Sequence, residues 1–221
     1  GGHAVADILT GAVNPSGKLP DSFPMEYEDV PSASTFPGEP AEEPINSFYK
    51  EGIYVGYRYY DSFNVPTAYE FGYGMSYTTF DYSDLKLSST CFSSKMKITV
   101  TIKNTGEVAG KEVAQLYLSA PTTKIEKPLQ ELKGFAKTKL LKPGESQQLS
   151  FELDERSLAS FWSGISSWIA DKGDYEVRIG ASSKDIRMKD SFNLPKDIVV
   201  EKVHDVLYPN FQFEELSQNN K

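Results

Sequence analysis

Cysteine, histidine and long apolar runs are all scarce in this chain, and each scarcity removes a class of function. A single cysteine, Cys91, closes no internal disulfide and builds no thiolate metal cluster. Two histidines, His3 and His204, stand at opposite ends of the sequence and do not make a histidine-rich metal centre, so no metal or other cofactor is expected. No stretch approaches the roughly 18 consecutive apolar residues of a membrane-crossing helix. Nor is there a Lys/Arg-rich run. With 23 basic against 31 acidic residues in 221, the formal net charge is −8, a poor match for a polyanion whose binding rests on neutralised phosphates. Nucleic acid and a membrane span are therefore not expected as partners.

Aromatic side chains, by contrast, are abundant (13 Tyr, 13 Phe and 2 Trp), and most of the 13 prolines crowd into the first third of the chain. The remaining composition, 39% hydrophobic and 24% charged, is that of an ordinary globular chain long enough to bury a core without covalent staples. Val5, Ile8 and Leu9 fall on one helical face, and Gly11 follows where a C-terminal cap belongs. This opening element reads as the closing helix of a larger domain. Asn14-Pro15-Ser16-Gly17-Lys18-Leu19-Pro20 is a turn sequence. Residues 24–47 carry Pro24, Pro31, Pro37, Pro40 and Pro44 among several glutamates, a density of proline that excludes regular helix or central strand and reads as a surface excursion.

Residues 48–82 hold two aromatic runs of high strand propensity, 48–61 and 69–80, punctuated by glycines that suggest bends or close backbone approach. Beyond residue 83 the period becomes a clean two. Met96, Ile98, Val100 and Ile102 share one face; Ala114, Leu116 and Leu118 alternate with Val113, Gln115 and Tyr117; Leu149, Phe151 and Leu153, then Tyr175, Val177 and Ile179, repeat the pattern; Phe192 and Leu194 suggest a last short strand. About seven short strands with turn signals between them are the mark of an immunoglobulin- or fibronectin-type β-sandwich, here without the Cys…Trp…Cys framework of antibody domains. The fold class expected is thus mainly β: a fibronectin type III-like sandwich preceded by other material. Residues 1–82 form the lead segment, 83–195 the sandwich and 196–221 a polar tail. In that tail Val203, Val206, Leu207 and Phe211 are candidates to pack back onto a surface, while Asn219-Asn220-Lys221 is expected to fray.

Several stretches in register resemble glycoside hydrolase family 3, the β-glucosidase and β-xylosidase group. They are Gly1-Gly2-His3-Ala4 through the 14–20 turn; Tyr54-Val55-Gly56-Tyr57-Arg58-Tyr59; Phe71-Gly72-Tyr73-Gly74-Met75-Ser76-Tyr77-Thr78; Lys103-Asn104-Thr105-Gly106 through Ala109-Gly110-Lys111-Glu112-Val113; and Glu131-Leu132-Lys133-Gly134-Phe135. The resemblance implies a (β/α)8 barrel, an α/β sandwich domain and a fibronectin-like domain in the intact protein. Residues 1–82 then correspond to the tail of the α/β sandwich domain with its connection. It also implies retaining hydrolysis of terminal β-linked glucose or xylose by a carboxylate pair roughly 5–5.5 Å apart. The family's nucleophile belongs to the barrel, and its acid/base usually to a part of the α/β domain upstream of Gly1, so no catalytic residue is carried over. The partners implied are the catalytic domains of the parent chain and its carbohydrate substrate. The lead segment is expected to expose apolar surface that the parent covers, and this surface allows a homodimer of the isolated chain. A periplasmic or secreted location follows only from the substrate class.

Tyr57, Arg58 and Tyr60 are the candidate sugar contacts, since phenol rings are apolar on the face and polar at the edge; packing for the tyrosines, and a clamp between segments for Arg58, are the competing roles. Glu39, Glu42 and Glu43 read as a solvated loop, Cys91 as a passive thiol, and His3 and His204 as surface or packing residues. Trp162 and Trp168 flank a turn-like insertion and suit either sandwich-edge packing or a sugar platform. Asn104-Thr105-Gly106 reads as a hairpin turn, and neither it nor Asn14-Pro15-Ser16 is a glycosylation acceptor. The alternatives to a non-catalytic part of a glycosidase are a carbohydrate-binding module anchoring an enzyme to polysaccharide, and a purely structural immunoglobulin-like module.

Overall fold

The computed structural model describes every residue except 41, 205, 207–213 and 221. In chain order the elements are helix α1 (Gly2–Leu9), strand β1 (Phe23–Pro24), helix α2 (Tyr57–Ser62), and strands β2 (Thr67–Tyr69), β3 (Phe80–Leu87), β4 (Lys95–Asn104), β5 (Val113–Ser119), β6 (Glu131–Lys137) and β7 (Ser146–Asp154). After them come helix α3 (Glu155–Leu158) and strands β8 (Ser160–Trp162), β9 (Ser167–Ala170), β10 (Gly173–Gly180), β11 (Ile186–Leu194) and β12 (Ile198–Lys202). Short 3-10 turns occupy Tyr27–Asp29, Ser163–Ile165 and Gln218–Asn220.

Two antiparallel sheets make the sandwich. One is ordered β3-β4-β7 and the other β11-β10-β5-β6. The period of two explains the core directly, because alternate side chains of a strand leave opposite faces of a sheet. Met96, Ile98, Val100 and Ile102 of β4 are fully buried, and β7 pairs with β4 so that Leu149, Phe151 and Leu153 join the same face. From the other sheet Ala114, Leu116, Leu118, Tyr175, Val177, Ile179, Phe192 and Leu194 close the core. The Tyr175 and Phe192 rings stack at 5.4 Å. A smaller sheet, β12-β9-β8, sits beside the sandwich. The architecture is mainly β, as the alternation requires.

Strand β5 departs from simple alternation. Its outward residues Gln115 and Tyr117 are as buried as Ala114, Leu116 and Leu118. A strand buried on both faces has something packed on its outside, and here that is the aromatic stretch of the lead segment.

The lead segment corrects two readings of the sequence. The 54–60 run is not a strand: Gly56 takes φ +59°, and Tyr57–Ser62 then form a helix, which turns Tyr57 and Tyr60 inward together, three residues apart. In the 69–80 run only the two ends are extended; residues 70–79 are turns and irregular chain, with Gly72 at φ +80°. In both places tertiary docking of aromatic rings overrides strand propensity. Among the described residues of 24–47, the chain is irregular apart from β1, one 3-10 turn and an isolated bridge between Glu39 and Asn46, in keeping with its prolines. Helix α1 has no buried residue: Val5 and Leu9 are exposed, and Gly11 follows in the left-handed conformation.

Candidate functional site

The stretches that resemble one another across the family meet in one place, a polar and glycine-lined seam between the lead segment and the sandwich. Asn14 is one hub. Its Nδ2 donates to the Ala109 carbonyl at 3.1 Å, while its Oδ1 accepts from Ser76 Oγ at 3.1 Å and from the Tyr77 N–H at 2.9 Å. Tyr77 Oη in turn donates to the Ile8 carbonyl at 2.8 Å, tying helix α1 to the same point. Asn104 is the second hub and is wholly buried. It donates to the Val108 and Leu141 carbonyls, each at 2.8 Å, and accepts from Thr78 Oγ1 at 2.7 Å and the Gly106 N–H at 3.1 Å. All four hydrogen-bonding positions of that amide are filled, which is what lets a polar side chain sit in the interior without penalty. The 104–106 triplet is thus more than a turn: its asparagine clamps the crossing of two segments.

The glycines of these motifs are required by proximity. A Cβ at Gly110 would lie 2.8 Å from Asn14 Nδ2, and one at Gly74 would lie 2.3 Å from the Gly17 carbonyl oxygen. A side chain at either position would push the two motif strands apart.

Further along the seam, Gln115 Nε2 donates to the Gly72 carbonyl at 3.1 Å and to the Ala181 carbonyl at 2.7 Å, and its Oε1 accepts from Tyr117 Oη at 2.5 Å. Burial pushes the Tyr117 hydroxyl up from its ordinary range, so it acts as a donor. The backbone pair Leu19–Tyr73 and Gly72–Leu19 stitches the 14–20 turn onto the aromatic stretch. Lys18 reaches Glu112 at 3.0 Å. Two shallow grooves run beside this strap. One, of about 360 Å³, is lined by Leu19, Phe71, Gln115, Leu132 and Phe135; the other, of about 510 Å³, by Phe23, Tyr69, Tyr73 and Met75.

The three candidate sugar contacts lie on helix α2, on the same seam. Tyr57 stacks on Phe71 at 4.6 Å, meets Tyr117 edge-on at 5.9 Å, and its Oη accepts the Leu132 N–H at 2.7 Å. Burial moves its hydroxyl upward as well. Tyr60 is 4% exposed and packs edge-on against Tyr59. Arg58 reaches Glu131 at 3.4 Å, and Glu131 also meets Lys133 at 3.1 Å; the Arg58 side chain keeps about a third of its surface exposed. The neighbouring Asp61 accepts from Gln130 Nε2 at 3.1 Å. Burial holds its carboxyl above the ordinary range, against the hydrogen bonds from Gln130 and Ser183 and the charge of Lys184.

The other singled-out residues lie away from this seam. Glu39, Glu42, Glu43, His3, His204 and Cys91 are exposed. Trp162 and Trp168 belong to the β8–β9 hairpin, where the Arg156 guanidinium covers the Trp168 ring at 3.9 Å and pairs with Glu201 at 2.6 Å. Asn14, Gln115 and the side-chain role of Asn104 were not anticipated from the sequence. One signal for Gln115 was available: an amide and a tyrosine on the outer positions of an otherwise apolar strand.

The sequence profile described as glycosyl hydrolase family 3 C-terminal domain matches residues 1–57, and that of the fibronectin type III-like domain matches residues 112–183. The chain belongs to glycoside hydrolase family 3. Thermostable beta-glucosidase B of Acetivibrio thermocellus is 41% identical over 203 residues, covering 91% of this chain and 26% of the relative. Among solved structures, beta-glucosidase 3B of Thermotoga neapolitana, in complex with alpha-D-glucose, superposes with a TM-score of 0.84 at 55% identity, covering 89% of this chain and 27% of that one. A beta-glucosidase from Paenibacillus barengoltzii gives a TM-score of 0.85 at 39% identity over 96% of this chain and 24% of that one. The chain thus spans about a quarter of the length of the family 3 relatives it matches.

Proposed function

We propose that this chain is the non-catalytic buttress of a retaining β-glycosidase that hydrolyses terminal β-linked glucose or xylose. The observation that carries this reading is the seam. The family-like stretches are spent on holding the lead segment against a fibronectin-like sandwich, through Asn14, Asn104 and close-packed glycines, with Gln115 beside them. In this reading 1–82 complete an α/β domain, 83–195 brace it, 196–221 form a tail, and the carboxylate pair belongs to the remainder of the protein. Helix α1 supports it: an amphipathic helix with no buried residue needs a neighbour to cover it. Most of the exposed large apolar side chains among the described residues, including Leu9, Met25, Phe36, Ile45 and Tyr49, precede residue 83. That surface fits the catalytic domains of the parent, or a second copy when the chain stands alone. Of Tyr57, Arg58 and Tyr60, Arg58 is proposed to reach the substrate rim, because its side chain is about a third exposed, while Tyr60 is buried and the Tyr57 hydroxyl is hydrogen-bonded to the Leu132 N–H.

Two arms test the reading. Full-length protein should cleave a nitrophenyl β-glucoside or β-xyloside, and the isolated 221-residue chain should release nothing above blank; turnover by the isolated chain overturns the assignment of catalysis elsewhere. In the full-length protein, Asn104→Leu leaves the Thr78 hydroxyl and two buried carbonyls without their partner. It should cost about 3 kcal/mol of stability, read as a lower Tm.

A further inference from the structure

The end of the chain returns to the lead segment by a route made of polar groups. Leu216 N–H donates to the Lys50 carbonyl at 2.7 Å, and Gln218 Nε2 to the Ser62 carbonyl at 2.7 Å. Between these two ties stands Glu126, on the loop joining β5 to β6. Its Oε1 accepts from Tyr54 Oη at 2.6 Å and from the Gln218 N–H, and its Oε2 accepts from Ser217 Oγ at 2.5 Å. Tyr54 is itself only 1% exposed and meets the Phe63 ring edge-on at 4.9 Å. Glu215 lies over Gly52, whose φ of +55° favours glycine there; a Cβ added at that position would stand 3.0 Å from Glu215 Oε2. Ser62 completes the junction: its Oγ accepts the Leu129 N–H at 2.9 Å from the same β5–β6 loop. One carboxylate therefore joins three stretches that are far apart in sequence.

We propose that residues 214–219 are an intramolecular strap, fastened by the Glu126 carboxylate, that holds residues 50–62 against the rim of the sandwich. This goes beyond the buttress reading and does not depend on it. Two carboxylate oxygens taking three donors make a fastening stronger than neutral hydrogen bonds of the same number. The held segment includes helix α2, and so Tyr57 and Arg58. Removing the strap should loosen that helix while leaving the sandwich core as it is. Of the tail's apolar positions, Val203 is half-buried and Val206 exposed, while Leu207 and Phe211 lie outside the described residues. Asn219 and Asn220 close a short 3-10 turn, and Lys221 lies outside the described residues.

Amide hydrogen exchange on the chain tests this, with β4 as an internal reference. In the parent sequence the Leu216 and Gln218 amides should be protected. A chain stopped after residue 213, and Glu126→Ala in the full chain, should each speed exchange over 48–62 at least tenfold while β4 is unchanged. A synthetic peptide of residues 214–221 added to the shortened chain should restore the protection. Ser217→Ala, which leaves the carboxylate in place, should speed exchange over 48–62 a few-fold and covers the case in which the shortened chain does not fold. Unprotected Leu216 and Gln218 amides in the parent, or identical 48–62 exchange across all three variants, overturns the strap.

Discussion

In the sandwich, strands β4, β5, β7 and β10 present continuous apolar faces to a shared core, and no single hydrogen bond decides where any of them goes. In residues 1–79 the reverse holds. Helix α1 buries nothing, β1 is two residues long, and the segment is fixed by a few directional contacts through Asn14, Gln115 and Glu126. The first region is specified by the amount of apolar surface removed from water, which is tolerant of detail. The second is specified by geometry, in which one amide or one glycine is decisive. The comparison predicts that damage to the core will undo both regions, while damage to the seam will release only one.

The largest effect should come from Leu116→Ala. Leu116 is wholly buried in β5, the strand that carries the core on one face and the seam on the other. Truncating a buried leucine costs about 3–5 kcal/mol. Because Gln115 and Tyr117 flank it, the lead segment should be lost in the same transition. Chemical denaturation followed by far-UV signal and by amide exchange over 54–72 should give one coincident midpoint, shifted down. Two separated midpoints would falsify the view that the seam rests on β5.

Asn14→Ala should separate the two regions. It removes the bond to Ala109 and leaves Ser76 Oγ and the Tyr77 N–H without their acceptor, in a position that is half-buried. The expected loss is about 1–3 kcal/mol, local to the seam. Limited proteolysis should then cut within 1–20 several times faster, with the β4 and β7 amides as protected as before. Equal loss of protection in β4 would mean that the sandwich depends on its lead segment.

The same contrast explains what could be read without coordinates. The inward apolar positions of β4, β7 and β10 were legible, because a period of two over five or more residues leaves one arrangement that buries them. The sandwich class, and the glycine after α1, followed from the same local rules. Helix α2 was not legible: Tyr57, Arg58, Tyr59 and Tyr60 have strand propensity, and only Gly56 in a left-handed turn and the stacking of Tyr57 on Phe71 make them helical. Asn104 looked like a turn residue because its neighbours are Thr105 and Gly106. Its function depends on Thr78 and Leu141, which periodicity does not connect to it. The Glu126 junction was hidden for the same reason, since its partners lie 72 and 91 positions away.

The smallest effect concerns charge, and here the two regions have opposite signs. Glu126, in the strap, is pulled upward by its burial, but the hydrogen bonds donated by Ser217, Tyr54 and the Gln218 N–H bring its carboxyl below the ordinary range. Its contribution to stability is present above the unfolded-state value and fades as pH falls through the lowered one. Asp61, in the seam, is held upward by burial, so its contribution is present below the unfolded-state value and is lost as pH rises through the raised one. At neutral pH Asp61 therefore weakens the fold relative to acid. Asp61→Asn keeps an acceptor for Gln130 and removes the buried charge beside Glu70 and Lys184. It should raise stability at pH 7 by roughly 0.5 kcal/mol, the scale of a partly exposed substitution. The gain should vanish below about pH 4, where the aspartic acid is protonated in both folded and unfolded chains. Urea midpoints at pH 7 and pH 3.5 decide it: a variant weaker than the parent at pH 7 and equal to it at pH 3.5 would show that Asp61 serves the seam as a charge.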